Sequence, residues 1–396
     1  MRRGFLKPAM RVLESPRYFY DGIHLDFRYG AGALGCYVKA PGAAPTIAGL
    51  TSLFTFTGGN QSMYMGPAGL LVASATNTPR IEYDASGNCL GLLMEAARTN
   101  LALYSADGTN AAWTKSNTSA AKTATGPDGA ANSATTVTAS AGNGTILQTV
   151  TSASAQRTSS IWLKRRAGTG NVDMTVDGGT GWTTKTITAS WARYSITQSA
   201  VTNPNFGLRL VTSGDEVDFY GAQLESAAFM SSTIPTTTVA VARTADSCIR
   251  TLSTEFSATA GTVVVASRPA GTEALNQFLY IFDDGTLNER YSVSRTGTGT
   301  ITRMVVTDGG VNQAFIDLGT VGDGVAYKTA QAWEVNDFAS VLNGGSASTD
   351  VLGTLPTVTT LRLGHRDAAA TDHLNGHIRR FDYYPTRLPN GFLTTA

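Results

Sequence analysis

What most constrains this chain is a long succession of short β-branched and aromatic runs punctuated by Gly, Asn, Asp and Ser, with no stretch of sustained helical periodicity. A run of four to eight such residues closed by turn residues makes a strand, and a strand must bury one face against a second layer. In the middle of the chain the runs 146–150, 159–164, 172–176, 191–197, 206–211 and 216–224 fit this pattern. The last third repeats it at 261–267, 277–282, 290–294, 301–307, 326–334, 339–342, 357–364 and 376–384. Asp283-Asp284-Gly285, Asp308-Gly309-Gly310 and Asn343-Gly344-Gly345 supply turns between them. The expectation is an all-β chain. An irregular module over 1–100 precedes two antiparallel sandwiches, at 101–247 and 248–396.

The one stretch with helix-forming composition is 91–101, Gly-Leu-Leu-Met-Glu-Ala-Ala-Arg-Thr-Asn-Leu, which predicts one or two helical turns. The Ala/Thr/Ser-rich segment 116–144 has linker composition, but the β bias of 135–138 places it among the first strands of the first sandwich.

Charge narrows the function. Thirty basic side chains against 29 acidic ones leave a formal net charge of +1, too small an excess for a surface that neutralises phosphates, so no nucleic-acid partner is expected. The uncharged stretch 40–79 is long enough to cross a bilayer, yet Pro41, Pro45, Pro67 and several glycines interrupt it, so no membrane insertion is expected. Residues 1–13 lack the apolar core of an export signal. Cys36, Cys89 and Cys248 are far apart and form no Cys-x-x-Cys pair, which points to folding in a reducing cytosol.

Several strings carry a resemblance. Leu25-Asp26-Phe27, Pro79-Arg80-Ile81-Glu82-Tyr83-Asp84, Gly91-Leu92-Leu93-Met94-Glu95 and Ala97-Arg98-Thr99-Asn100-Leu101 resemble the N-terminal signature of tailed-phage tail-fibre and head-spike proteins, including those of phage-like gene transfer agents. The likeness continues through Leu103-Tyr104-Ser105 and Asn110 to Trp113. It returns at Val217 to Glu225 and at Ala242-Arg243-Thr244-Ala245-Asp246, which resemble the close of a carbohydrate-binding-module-like jelly roll. The stretches 361–364 and 374–388 resemble the last strands of a concanavalin A-like sandwich. The segment 53–66 departs from the family by lacking its arginine-bearing strand. The resemblance implies a non-enzymatic virion-surface protein assembled in the bacterial cytoplasm. Its N-terminal module would attach to other virion proteins, and its sandwiches would meet host polysaccharide; the alternatives are a purely architectural baseplate or vertex adaptor that binds no ligand and, behind it, a polysaccharide depolymerase. A homo-oligomer is implied, a trimer or alternatively a pentamer, in which Phe19, Phe54 and Phe56 find cover on neighbouring chains.

Catalytic constellations are thin. Hydrolases on concanavalin-like sandwiches align three carboxylates along one strand, but in Glu216-Val217-Asp218-Phe219-Tyr220-Gly221 the third is replaced by glycine. Asp218 and Glu225 therefore read as structural. There is no Gly-x-Ser-x-Gly elbow. His365, His373 and His377 cluster near the C-terminus, where a turn at Asn375-Gly376 argues against a metal pair and for loop histidines at a subunit contact. No cofactor is implied. Calcium is the one metal the turns offer ligands for, through Asp283, Asp284, Asn288, Asp308, Asp317 and Asp323.

Sugar recognition needs a flat aromatic face. Trp162, Trp191 and Trp333 lie in apolar runs and read as core, whereas Trp182 sits in the Gly-rich Gly178-Gly179-Thr180-Gly181 loop. The expected glycan contact is Trp182, with Arg165 and Arg166 beside it.

Overall fold

The computed structural model describes residues 19–33, 35–367, 369 and 371–396. The first thirteen residues, read above as carrying no export signal, lie outside the described residues. Among the described residues the chain is all-β, with helices only at Phe27–Tyr29, Leu50–Leu53 and Asn390–Thr395. No helix among them is long and apolar enough to cross a membrane.

One sandwich is made from the middle of the sequence. Its first sheet runs Thr114–Ser116, Gly144–Thr149, Asn205–Leu210, Val172–Thr175, Thr183–Lys185. Its second runs Thr118–Ala124, Ala134–Ala139, Glu216–Glu225, Ala155–Ala167, Ala192–Val201. All these pairings are antiparallel, and the chain alternates between sheets in the jelly-roll manner. Alternation sets the core. Leu208 and Leu210 point inward with Ile146, Ile161, Leu163, Val172 and Phe219, and Trp113 closes one end edge-on to Phe219 at 5.1 Å.

The second sandwich faces a seven-stranded sheet against a ten-stranded one, with Phe282, Tyr291, Trp333, Phe381 and Tyr383 between them. Trp333 is fully buried and stacked on Tyr291 at 4.5 Å. Burying each such ring stabilises by about 2–3 kcal/mol.

The N-terminal hundred residues, expected to be an irregular module of their own, contribute strands to this second sandwich. Gly22–Asp26 pairs with Gly376–Tyr384, Thr55–Thr57 with Ser247–Thr251, and Cys89–Met94 with the start of Gly376–Tyr384. Phe54 and Phe56, expected to need a neighbouring chain, are buried in this core. Phe19 packs edge-on against Tyr37 of the same chain at 4.8 Å. The jelly roll is thus inserted between the two halves of the other sandwich.

The helix expected at 91–101 is two strands, Cys89–Met94 and Arg98–Asn100. Leu, Met, Glu and Ala favour helix locally, but strand partners override a preference worth a few tenths of a kcal/mol per residue. Gly91 shows how closely the strands approach: at φ +124° it sits where an added Cβ would fall 2.4 Å from the Ile378 carbonyl oxygen.

Trp162 and Trp191 also differ from expectation. Both stand on the outer face of the jelly roll's second sheet, half-buried with Tyr220 and Ala134 beneath the hairpin Met63–Met65 and Leu71–Ala73.

Candidate functional site

Arg209 lies between two inward leucines, so its side chain must emerge on the opposite face of the sheet. There its guanidinium sits over the Trp182 ring, 4.4 Å from the centroid, and is held to Asp173 by hydrogen bonds of 2.6 and 3.0 Å. Asp173 also accepts from the Thr184 hydroxyl at 2.7 Å. The loop that carries Trp182 is fixed rather than loose. Thr175 Oγ1 and Asp177 Oδ1 take the Gly179 and Gly181 amides, and Gln198 donates to Asp177 at 2.9 Å. Gly179, at φ +92°, lies against the indole so closely that a Cβ would come within 2.8 Å of it. The result is a preorganised, half-buried indole backed by a cation and bordered by amide, hydroxyl and carboxylate groups.

Arg165 and Arg166 do not join it. They leave the other sheet. Arg165 is tied to Asp215 at 2.9 Å and to the Gly170 carbonyl at 2.6 Å, and Arg166 to Asp218 at 2.8 Å. The cation beside Trp182 is Arg209 instead, a residue the sequence reading did not single out.

The carboxylates of the aborted triad are committed to structure. Asp218 is fully buried and held by Thr136, Lys164 and Arg166, and Glu225 takes the Ser231 amide and hydroxyl. Among the calcium candidates, Asp283 pairs with Arg362, Asp317 with Arg303 and Asp323 with Arg295, while Asp284 closes its own turn on Thr286. The histidines are not at a surface. His365 and His373 are buried and stacked, ring centres 5.9 Å apart. His365 accepts the Cys248 amide at 3.2 Å, and burial together with His373 lowers its pKa to about 3. His377 is buried on a strand and paired with Glu82 at 2.7 Å.

Several of the strings that carried the resemblance, among them 79–84, 91–95 and 242–246, meet elsewhere, at a buried junction between the sandwiches. Glu95 accepts from Arg80 at 2.7 Å, from Arg243 at 2.8 Å and from the Ser232 amide and hydroxyl, both at 2.7 Å. Asp246 receives Arg80, the Glu95 amide and the Gly59 amide. Burial alone would push the Glu95 carboxyl up, but Arg243 and Arg80 hold it well below the usual range. Fully buried Asn100 donates to the Ala222 and Ile234 carbonyls and accepts the Ala102 and Leu224 amides, fastening the jelly roll's entry to its last strand. These residues hold the molecule together.

No protein-family model matches this chain, and no curated protein matches it. Solved structures similar to parts of it include the following three. The CBM40 domain of Ruminococcus gnavus IT-sialidase bound to α2,3-sialyllactose matches at TM-score 0.30 and 18% identity, over 35% of this chain and 82% of that one. A mutant NanB sialidase from Streptococcus pneumoniae matches at TM-score 0.31 and 14% identity, over 36% of this chain and 24% of that one. The heptameric SAP-like pentraxin of Limulus polyphemus matches at TM-score 0.27 and 12% identity, over 37% and 73%.

Proposed function

We propose that this chain is a glycan-binding structural protein of a tailed-phage-like particle, displayed on the virion as a homo-oligomeric spike or fibre after assembly in the bacterial cytoplasm. Its N-terminal residues contact other virion proteins, and its sandwiches meet host polysaccharide without cleaving it. The observation that supports the binding role most directly is the Trp182–Arg209 stack with Asp173 and Thr184 beside it. An aromatic ring already fixed in place costs no ordering entropy when a sugar stacks on it. Three of the motif strings support the family reading, since Arg80, Glu95, Arg243 and Asp246 from them form one connected junction.

An oligomer, trimeric or pentameric, is favoured by an exposed apolar strip on the second sandwich. Val311 and Phe315 of the edge strand Val311–Thr320 lie near Val351 and Leu352, the latter 73% exposed. Thr354 N–H to Gln313 Oε1 at 3.2 Å ties the two segments.

A glycan array probed with the full chain and with Trp182→Ala tests the reading. Binding by the parent and its weakening in the variant is the expected result; an array silent for both overturns glycan binding at Trp182.

A further inference from the structure

The outer face of the ten-stranded sheet carries a second feature. The Asn390–Thr395 helix covers part of that face, packing Leu393 over Val264, Ala330 and Val341. Two residues further along each of the strands that carry Val264 and Ala330, the sheet is left open. A cleft of about 290 Å³ lies there, with Arg268, Lys328, Arg379, Asn343, Leu90 and Cys89 in its walls.

Its charge is unlike that of the rest of the sheet. Along the same sheet Lys39 pairs with Asp21, Arg28 with Asp26, Arg380 with Asp382 and His377 with Glu82. Among the described residues, Arg268, Lys328 and Arg379 form no ion pair with any carboxylate, and no Asp or Glu lines the cleft. Arg268 is nevertheless held in place, because its Nε donates to the Gly324 carbonyl at 2.6 Å and leaves the two terminal amino groups to face a ligand. Asn343 is fixed through its Oδ1, which accepts the Lys328 amide at 2.8 Å, so its side-chain amide group remains a donor. Three like charges around one small cleft repel one another, and an anion placed among them turns that repulsion into attraction. A fixed guanidinium fork suits a planar carboxylate. Of the remaining walls, Leu90, Ala266 and Ala326 are apolar and match the C–H face of a sugar ring.

We infer that this cleft binds a carboxylate-bearing sugar unit of an acidic polysaccharide, with Arg268 and Arg379 on the carboxylate and Lys328 and Asn343 on adjacent oxygens. The choice of a saccharide rests on the glycan-binding reading, but the site is separate from Trp182 and is tested separately.

Cys89 provides a reporter in the wall of the cleft, since Cys36 and Cys248 are buried and Cys89 is not. The full chain is alkylated with N-ethylmaleimide, a neutral reagent, and the rate at Cys89 is followed by mass spectrometry. Additions are trigalacturonate, its fully methyl-esterified form, or inorganic phosphate. The expected result is at least fivefold slowing by saturating trigalacturonate and none by the ester. Arg268→Gln and Arg379→Gln should each weaken protection at least tenfold in concentration. Arg379 is exposed, so its variant keeps the fold and the test stands if Arg268→Gln does not. Equal protection by the ester, or no protection by trigalacturonate, overturns the inference. Protection by phosphate at the same concentration as trigalacturonate overturns the saccharide assignment and leaves a plain anion site. Loss of the cleft result with Trp182-dependent array binding intact removes this inference alone. Array silence with Cys89 protected removes the Trp182 reading alone.

Discussion

Arg243 reaches Glu95 across 2.8 Å of buried interior, joining a residue just before the jelly roll to one just after it, 148 positions on. The pair closes the neck of the insertion, and Arg80 shares the same carboxylate oxygen from the strand region before it. Removing one partner leaves a buried charge without full compensation.

Arg243→Met should therefore destabilise the protein by about 3–5 kcal/mol. The measurement is the denaturant midpoint of the variant against the parent, read separately by Trp fluorescence and far-UV circular dichroism. A change below about 1 kcal/mol would show that the junction does not hold the sandwiches.

Acid should weaken the fold from a pH above the carboxylate range. His365 titrates at about 3 when folded and near its ordinary 6.5 when unfolded. Between those values the unfolded chain binds the extra proton. The stability this group protects is thus complete above pH 6.5 and is lost as pH falls towards 3, by up to ~1.4 kcal/mol per pH unit. Glu95, held low by its arginines, adds a further loss below its ordinary 4.5. Midpoints measured from pH 7.5 to 5 should fall in the parent and stay flatter in His365→Gln.

Much of the fold was legible in the sequence because each strand that packs on both sides announces itself by β-branched and aromatic content. Gln277–Asp283 and Gly376–Tyr384 are found within a residue of where the pattern places them. Val311–Thr320 was not read as a strand, and its chemistry explains why. It lies at a sheet edge with Val311, Phe315 and Asp317 outward, and Asn, Gln and Gly dilute the β signal. In the first hundred residues the strands are short, and three of them, Gly22–Asp26, Thr55–Thr57 and Cys89–Met94, take partners from the distant second half of the chain, which leave no local trace. At the site, Trp182 was legible from its Gly-rich loop. Its pairing with Arg209 rather than Arg165 or Arg166 depends on which sheet each strand joins, and short-range pattern does not encode that.

Trp182→Ala should weaken glycan binding about tenfold, as ~1.4 kcal/mol of lost ring contact predicts. Its denaturant midpoint should move little, because the ring is only half-buried. Arg209→Gln should weaken binding less, since it removes the cation behind the ring and leaves the stacking surface. A binding surface for sugar is absent here if neither variant changes affinity while the parent binds.

Gly91→Ala should cost about 2 kcal/mol or more, from positive φ and collision with the Ile378 carbonyl together. Thermal unfolding checks this against Gly285→Ala. Gly285 shares a positive φ but has open space around it, so the difference between the two isolates the collision.

Leu352→Ser with Phe315→Ser should lower the oligomer mass measured by light scattering without shifting the circular dichroism spectrum. A parent chain that is monomeric at micromolar concentration overturns the oligomer.

The pairing of Gly22–Asp26 with Gly376–Tyr384 joins residues as much as 360 positions apart, such as Ile23 and Tyr383. During synthesis the first of these strands leaves the ribosome long before its partner exists. The jelly roll is complete once Glu225 has emerged, and can close while the rest is still being translated. The surrounding sandwich cannot. Until Gly376–Tyr384 is made, Ile23, Leu25, Phe54 and Phe56 have no finished core to enter, and their apolar surface is exposed to other nascent chains. A stop codon between Glu225 and Tyr384 would thus release a product with one folded lobe and a second that lacks a complete central strand.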